Sequence, residues 1–255
     1  MLKRRLVGVI TVKKGWAVQS FGFVRHLPLG RPEVIAQNLD RWGADEILVL
    51  CIDRTLADAG PDIDLVRRIG RMGLSTPVTY GGGLRSVDDG MAVIQAGAER
   101  VCIDAMLWRE PMVVRALSAR IGAQALIGAL PVSRSGQTIA AYDYLSRTER
   151  PITTQTRALF AQQVISEALI IDWQHEGHAR GFDTDLVRRW PLPGVPLIAF
   201  GGISEPEQLE ELFCMEGVVA AGVGNFLAYR EHAIQNLKER VRVPSVRPAE
   251  YECKP

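Results

Sequence analysis

The chain has 255 residues, 47% of them hydrophobic, with 30 basic and 29 acidic side chains and a net charge of +1. It is long enough to bury a large core, and its charge is too balanced for a nucleic-acid-binding surface to be its main business. No apolar run approaches about 18 residues, so no membrane span is expected.

The start, MLKRRLVGVITVKKGW, reads as a first strand rather than a leader. Lys13 and Lys14 interrupt its apolar run, and no small-residue cleavage site follows. Further strand-length apolar runs lie at 47–52, 77–80, 100–103, 125–130, 168–171, 196–200 and 218–222, after a first at 6–10. They are mostly continuous rather than alternating, as in parallel strands covered by helices on both sides. Between them lie amphipathic stretches. Those at 32–42, 62–72, 87–96 and 111–121 each end in a glycine (Gly43, Gly73, Gly97, Gly122), the left-handed position that closes helices. Ser86, Asp183 and Ser204 are candidate N-caps or near-caps. Eight β–α units in this length predict a (β/α)8 barrel over residues 1–242, with an open doubly wound sheet as the alternative. The longest irregular pieces, 17–30 and 133–151, follow strands one and five and are expected to be lid loops. The polar, proline-bearing tail, 243–255, is expected to leave the barrel.

The chain also repeats itself. PVTYGGGL around Gly82 and PLIAFGGI around Gly201 are offset by 201 − 82 = 119, and Glu46 and Glu167 by 167 − 46 = 121. So long a period is a duplicated half-barrel rather than a solenoid unit. Each half has a glycine pair where a strand turns into a helix, and such turns admit an anion to backbone N–H groups. Gly82, Gly83, Gly202 and Gly224 are therefore candidate phosphate contacts. Strand four ends in Asp104-Ala105, less welcoming to an anion, so the first-half site is expected to be the weaker.

Chemistry in such barrels sits at the strand tips. The tips of strands one and five carry Thr11 and Pro131, and neither titrates. The titratable groups just past strand ends are Asp53, Asp104, Asp172, His175, Glu176 and His178. Asp53 and Asp104 share a Cys-Ile-Asp triplet. Carboxylates there either cap helices or stand in for a missing acid or base. His175, Glu176 and His178 lack metalloprotease spacing, so no metal is expected, and no cofactor. Cys51 and Cys102 lie in apolar runs without a neighbouring base. With Cys214 and Cys253 they form no CxxC pair, and reduced thiols in a cytoplasmic protein are expected. At the opposite end, Arg5, Glu46, Arg100 and Glu167 stand before or at the start of strands. They read either as rim ion pairs or as a self-neutralised polar gate over an axial passage.

These segments, MLKRR, VKKG, GADEILVL, YGGGL, AGAERVCI, the pattern from Glu176 to Asp183 and FGGIS, resemble the cyclase subunit of imidazole glycerol phosphate synthase, the HisF family, over about residues 1–240. The resemblance implies a glutaminase partner at the barrel bottom and an ammonia gate at Arg5, Glu46, Arg100 and Glu167, with arginine for the usual lysine at 100. It also implies two phosphate sites for a bisphosphate, with Gly82, Gly83, Asp104, Gly177, Gly202, Gly224 and Asn225 falling at them. The departures are as specific. The resemblance places an acid–base aspartate at each of Thr11 and Pro131, a substrate-clamping lysine at Gln19, and threonines at Ala105 and His178. Ammonia delivery without ring closure is similar to the branch of the family associated with glycosyl amidation, where a separate synthetase uses the ammonia. Two alternatives stay open: a histidine-pathway cyclase using Asp53, Asp104 or Asp172, and a stand-alone barrel for a phosphorylated small molecule.

Overall fold

The computed structural model describes residues 3–243 and 246–248. In chain order the strands and helices are β1 (Arg5–Lys13), β2 (Trp16–Phe21), β3 (Arg25–Gly30), α1 (Pro32–Arg41), β4 (Glu46–Cys51), α2 (Ile63–Gly70), β5 (Val78–Gly81), α3 (Val87–Gln95), β6 (Arg100–Ile103), α4 (Met106–Arg109) and α5 (Pro111–Ile121). The second half continues with β7 (Leu126–Ser135), β8 (Thr138–Asp143), β9 (Thr148–Pro151), α6 (Thr154–Ala161), β10 (Glu167–Asp172), α7 (Asp185–Arg188), β11 (Leu197–Phe200), α8 (Pro206–Cys214), β12 (Val218–Val223) and α9 (Ala233–Arg240).

Eight strands, β1, β4, β5, β6, β7, β10, β11 and β12, are parallel neighbours, and the pairing of β7 with β10 closes the ring. That closure excludes the open sheet. Local signals set the helices. Pro32, Pro111 and Pro206 stand at the first helical turns of α1, α5 and α8, where a missing N–H costs nothing. Ser86 caps α3 in a reciprocal box with Asp89. Gly43, Gly73, Gly97 and Gly122 all have positive φ, as the helix ends require.

Two apolar layers result. Val7, Val9, Leu48, Leu50, Ile127, Leu169, Ile198 and Phe200 fill the barrel interior. A larger set, including Leu6, Ile47, Ile103 and Leu117, packs between strands and helices. The halves repeat even here. A Cβ at Gly8 would lie 2.7 Å from Leu39 of α1, and one at Gly128 would lie 2.6 Å from Phe160 of α6. The same strand position has given up its side chain in each half so that a helix can press closer.

The expected lid loops are ordered hairpins. β1 runs on past the barrel and folds back through Lys14-Gly15, both at positive φ, so that Lys13 faces Trp16. That is the primed two-residue turn suited to twisted strands. β7 does the same through Gly136-Gln137, with Ser135 facing Thr138. The chain also meets the barrel again beyond the expected boundary. Val246 bridges Arg4 in parallel and packs on the core, so the tail does not leave the barrel there. Cys253 and the rest of the expected tail from 249 on lie outside the described residues.

Candidate functional site

Side chains alternate along each strand, so Arg5, Val7, Val9 and Thr11 share the inward face of β1. Glu46 on β4, Arg100 on β6 and Glu167 on β10 begin the inward rows of their strands. They meet at the N-terminal end in a closed ring. Arg5 pairs with Glu46 at 3.3 Å and with Glu167 at 2.8 Å; Arg100 pairs with Glu46 at 3.6 Å and with Glu167 at 2.8 Å. Thr79 of β5 donates to Glu46 at 2.5 Å, and Arg100 also donates to the Gln124 carbonyl and the Ser166 hydroxyl. Burial disfavours the Glu167 charge, but Arg100 and Arg5 outweigh it and hold the carboxyl below its ordinary range.

The opposite end is the mouth, and the two hairpins cross it in a related manner. The β2–β3 hairpin is fastened to second-half loops. Asn225 accepts from Ser20 N–H at 3.0 Å and donates to the Ser20 carbonyl at 2.6 Å. Glu176 accepts from the Ser20 hydroxyl and from Phe23 N–H, both at 3.1 Å, and burial raises its pKa. Across the repeat, Phe23 matches Tyr144 by 144 − 23 = 121, and Tyr144, in the turn between β8 and β9, donates to the half-buried carboxyl of Asp104. Each half therefore latches its hairpin onto the other half.

The candidate residues separate on this scaffold. Thr11 and Pro131 are buried on the inward rows of β1 and β7. Asp53 accepts from Lys14 N–H at 2.8 Å and so holds the β1–β2 turn. Asp172 accepts from Asp183 N–H at 2.9 Å and contacts His175 Nδ1 at 2.6 Å, bracing its own loop. Burial raises the pKa of Asp104, the Tyr144 hydroxyl only partly offsetting it. His175, Glu176 and His178 turn to different partners: Asp172, the hairpin, and the ring of Phe21 at 5.8 Å. Gln19 is buried on β2.

Gly177, Gly202, Gly224 and Asn225 come together around a cavity of about 170 Å³. Asn225 spends its side-chain amide on Ser20 and so clamps the hairpin beside this cavity. Ser204, expected as a cap or near-cap, does not cap α8, whose N-cap is Glu205, and lines this cavity instead. Gln208 Oε1 accepts from the N–H groups of Ser204 and Glu205, while the Ser204 hydroxyl is buried without a partner on the cavity wall. A wider open cleft, about 1860 Å³, runs between α1 and α9 and reaches Thr11 and Gly224 at its inner end.

The profile of the histidine biosynthesis protein family matches residues 5–233. The chain belongs to that family. Its relatives include an imidazole glycerol phosphate synthase subunit HisF of Exiguobacterium sp., 28% identical over 93% of both chains. The same-named subunit of Thermococcus gammatolerans is 29% identical over 94% of this chain and 95% of its own. A Vibrio vulnificus protein with the provisional name imidazole glycerol phosphate synthase subunit hisF2 is 28% identical over 95% of this chain and 89% of its own. Similarity this low over nearly full length makes the chain a divergent HisF-type barrel. Among the described residues, no helix is long and apolar enough to cross a membrane.

Proposed function

We propose that this barrel is the ammonia-receiving subunit of a glutamine amidotransferase complex. A glutaminase docks at the end bearing Arg5, Glu46, Arg100 and Glu167. The ammonia serves amidation of an acceptor, a sugar, by a separate synthetase. The observation that carries this reading is the closed charge ring at one end of a barrel whose opposite mouth has Thr11 and Pro131 on its inward rows. A self-neutralised ring has no net charge and can open for a small neutral molecule. Threonine and proline cannot relay protons for ring closure, and losing such a group costs about 10²–10⁴-fold. A phosphorylated small molecule is held at the mouth, around Gly202, Gly224 and the free Ser204 hydroxyl.

The test is a reconstitution. The barrel activates its glutaminase on binding, and barrel plus ammonia fails to cleave the histidine-pathway aminoimidazole nucleotide intermediate. Turnover of that intermediate at ordinary enzyme rates sinks the proposal. One observation favours the second reading, a histidine-pathway cyclase: Asp104 lies half-buried under Tyr144 with its pKa raised, which suits a proton donor. Complementation of a cyclase-deficient histidine auxotroph, lost in Asp104→Asn, would establish it.

A further inference from the structure

The two halves of the mouth match in sequence offset and differ in hydrogen bonding. In the second half, Gly202, Gly224 and Ser204 border open space, and the Ser204 hydroxyl is buried with no partner. Glu176 also borders that space, but its Oε2 is turned to the hairpin by Ser20 and Phe23.

In the first half several donors near the matching turn are occupied. Gly83 N–H donates to Thr55 Oγ1 at 3.0 Å. Arg54 donates to the carbonyls of Ala59, Gly60 and Pro61, and Arg85 to Asp58. The position matching Gly224 by 224 − 104 = 120 is Asp104. Its carboxyl is half-buried and accepts from the Tyr144 hydroxyl. An anion arriving there meets the Asp104 carboxylate under Tyr144, and Gly83 N–H would have to leave Thr55 to reach it. Giving up such a bond without replacement costs stability.

We infer that the mouth takes a ligand with a single phosphate, seated at Ser204 and the β11–β12 glycine turns, whose far end is uncharged and lies against the Asp104–Tyr144 latch. The duplicated barrel thus selects phosphomonoesters over bisphosphates. This rests on the reading of the second-half cavity as an anion site.

Calorimetric titration of the whole chain tests both steps. Inorganic phosphate is used first, then fructose 6-phosphate against fructose 1,6-bisphosphate. The expected result is one phosphate per chain, with the bisphosphate bound no more than about threefold more tightly than the monoester and Ser204→Ala weakening both about tenfold. Two phosphates per chain, or a bisphosphate preference of tenfold or more, overturns the single-phosphate inference alone. No phosphate binding, or binding indifferent to Ser204→Ala, overturns the anion site and the inference with it. Opening the latch with Asp104→Gly and Tyr144→Phe is expected to raise bisphosphate affinity relative to monoester at least tenfold, and an unchanged ratio overturns the assignment to the latch. If that pair fails to fold, the ratio in the unaltered chain still decides.

Discussion

Arg5 Nη2 lies 2.8 Å from both carboxylate oxygens of Glu167, and one of those oxygens also accepts from Arg100 at 2.8 Å. Glu167 is thus the shared anion of two guanidinium groups that come from other strands. Removing it leaves two partly buried cations sharing Glu46 alone, at the longer distances of 3.3 and 3.6 Å. Glu167→Ala is expected to lower stability by about 1–3 kcal/mol in urea unfolding, less than for a fully buried pair because the ring is partly open to water. Arg67→Ala, which breaks an exposed pair with Asp64, should change stability by no more than about 0.5 kcal/mol. In the complex, glutamine-dependent product should fall with Glu167→Ala or Arg100→Glu while glutaminase turnover persists.

Two glutamates, Glu167 half-buried and Glu176 buried, give opposite pH signatures. For Glu167 the folded pKa lies below the ordinary 4.5, because its arginines outweigh burial. Its contribution is therefore complete above that unfolded value and is lost as pH falls through the folded one. For Glu176 burial raises the folded pKa above 4.5. Its ionisation therefore detracts from stability increasingly as pH rises from the unfolded value to the folded one. Glu176→Gln can still accept from Ser20 and Phe23, so it should match the unaltered chain below that window and exceed it above. Glu167→Gln should flatten the acid limb instead. Unfolding midpoints across pH 3–7 check both, and an identical profile for Glu176→Gln would remove the burial argument.

The hairpin clamp admits a two-residue test. Asn225 grips both backbone groups of Ser20, and Gly177, at φ +78°, leaves room for the Ser20 carbonyl, which an added Cβ would approach to 1.9 Å. Asn225→Ala should cost about 1–3 kcal/mol, and Gly177→Ala a similar amount or more. Both should expose the β2–β3 segment to limited proteolysis. Because both release the same contact, the double variant should cost clearly less than the sum. Strict additivity would mean that the two residues act on different elements.

The barrel strands were legible because parallel strands buried on both faces are written as continuous apolar runs. The charge ring was legible because Glu46 and Glu167 stand just before such runs and Arg100 opens one. Hairpins were not, because the cue was only a turn pair, Lys14-Gly15 or Gly136-Gln137, inside segments whose polar residues suggested loops. The latches were beyond sequence reasoning for a different reason. Ser20 and Asn225 are 205 residues apart, and the buried pair of Lys238 with Asp45, at 2.8 Å, spans 193. No local pattern announces such partners. Ser204 was noticed but misread, since a serine before a helix is ordinarily its cap, and here Gln208 serves the helix start and leaves the hydroxyl free.

The cysteines separate by burial, and that gives a chemical test of the packed barrel. Burial, with little offset from a Tyr80 contact, pushes the Cys51 thiol from 9.0 up to about 12, and burial raises Cys102 as well. Thiolate is the reactive form, so Cys51 carries roughly a thousandfold less of it than a free thiol at pH 8, besides being sterically closed. Cys214, at the end of α8, is exposed. Brief iodoacetamide treatment of the native chain, followed by peptide mass mapping, should therefore modify Cys214 and spare Cys51 and Cys102. Denaturant should bring all three to comparable rates. Asn225→Ala should leave Cys51 and Cys102 protected, because the clamp holds the hairpin and not the barrel wall. Labelling of Cys102 in that variant would show instead that the hairpin and the barrel interior open together.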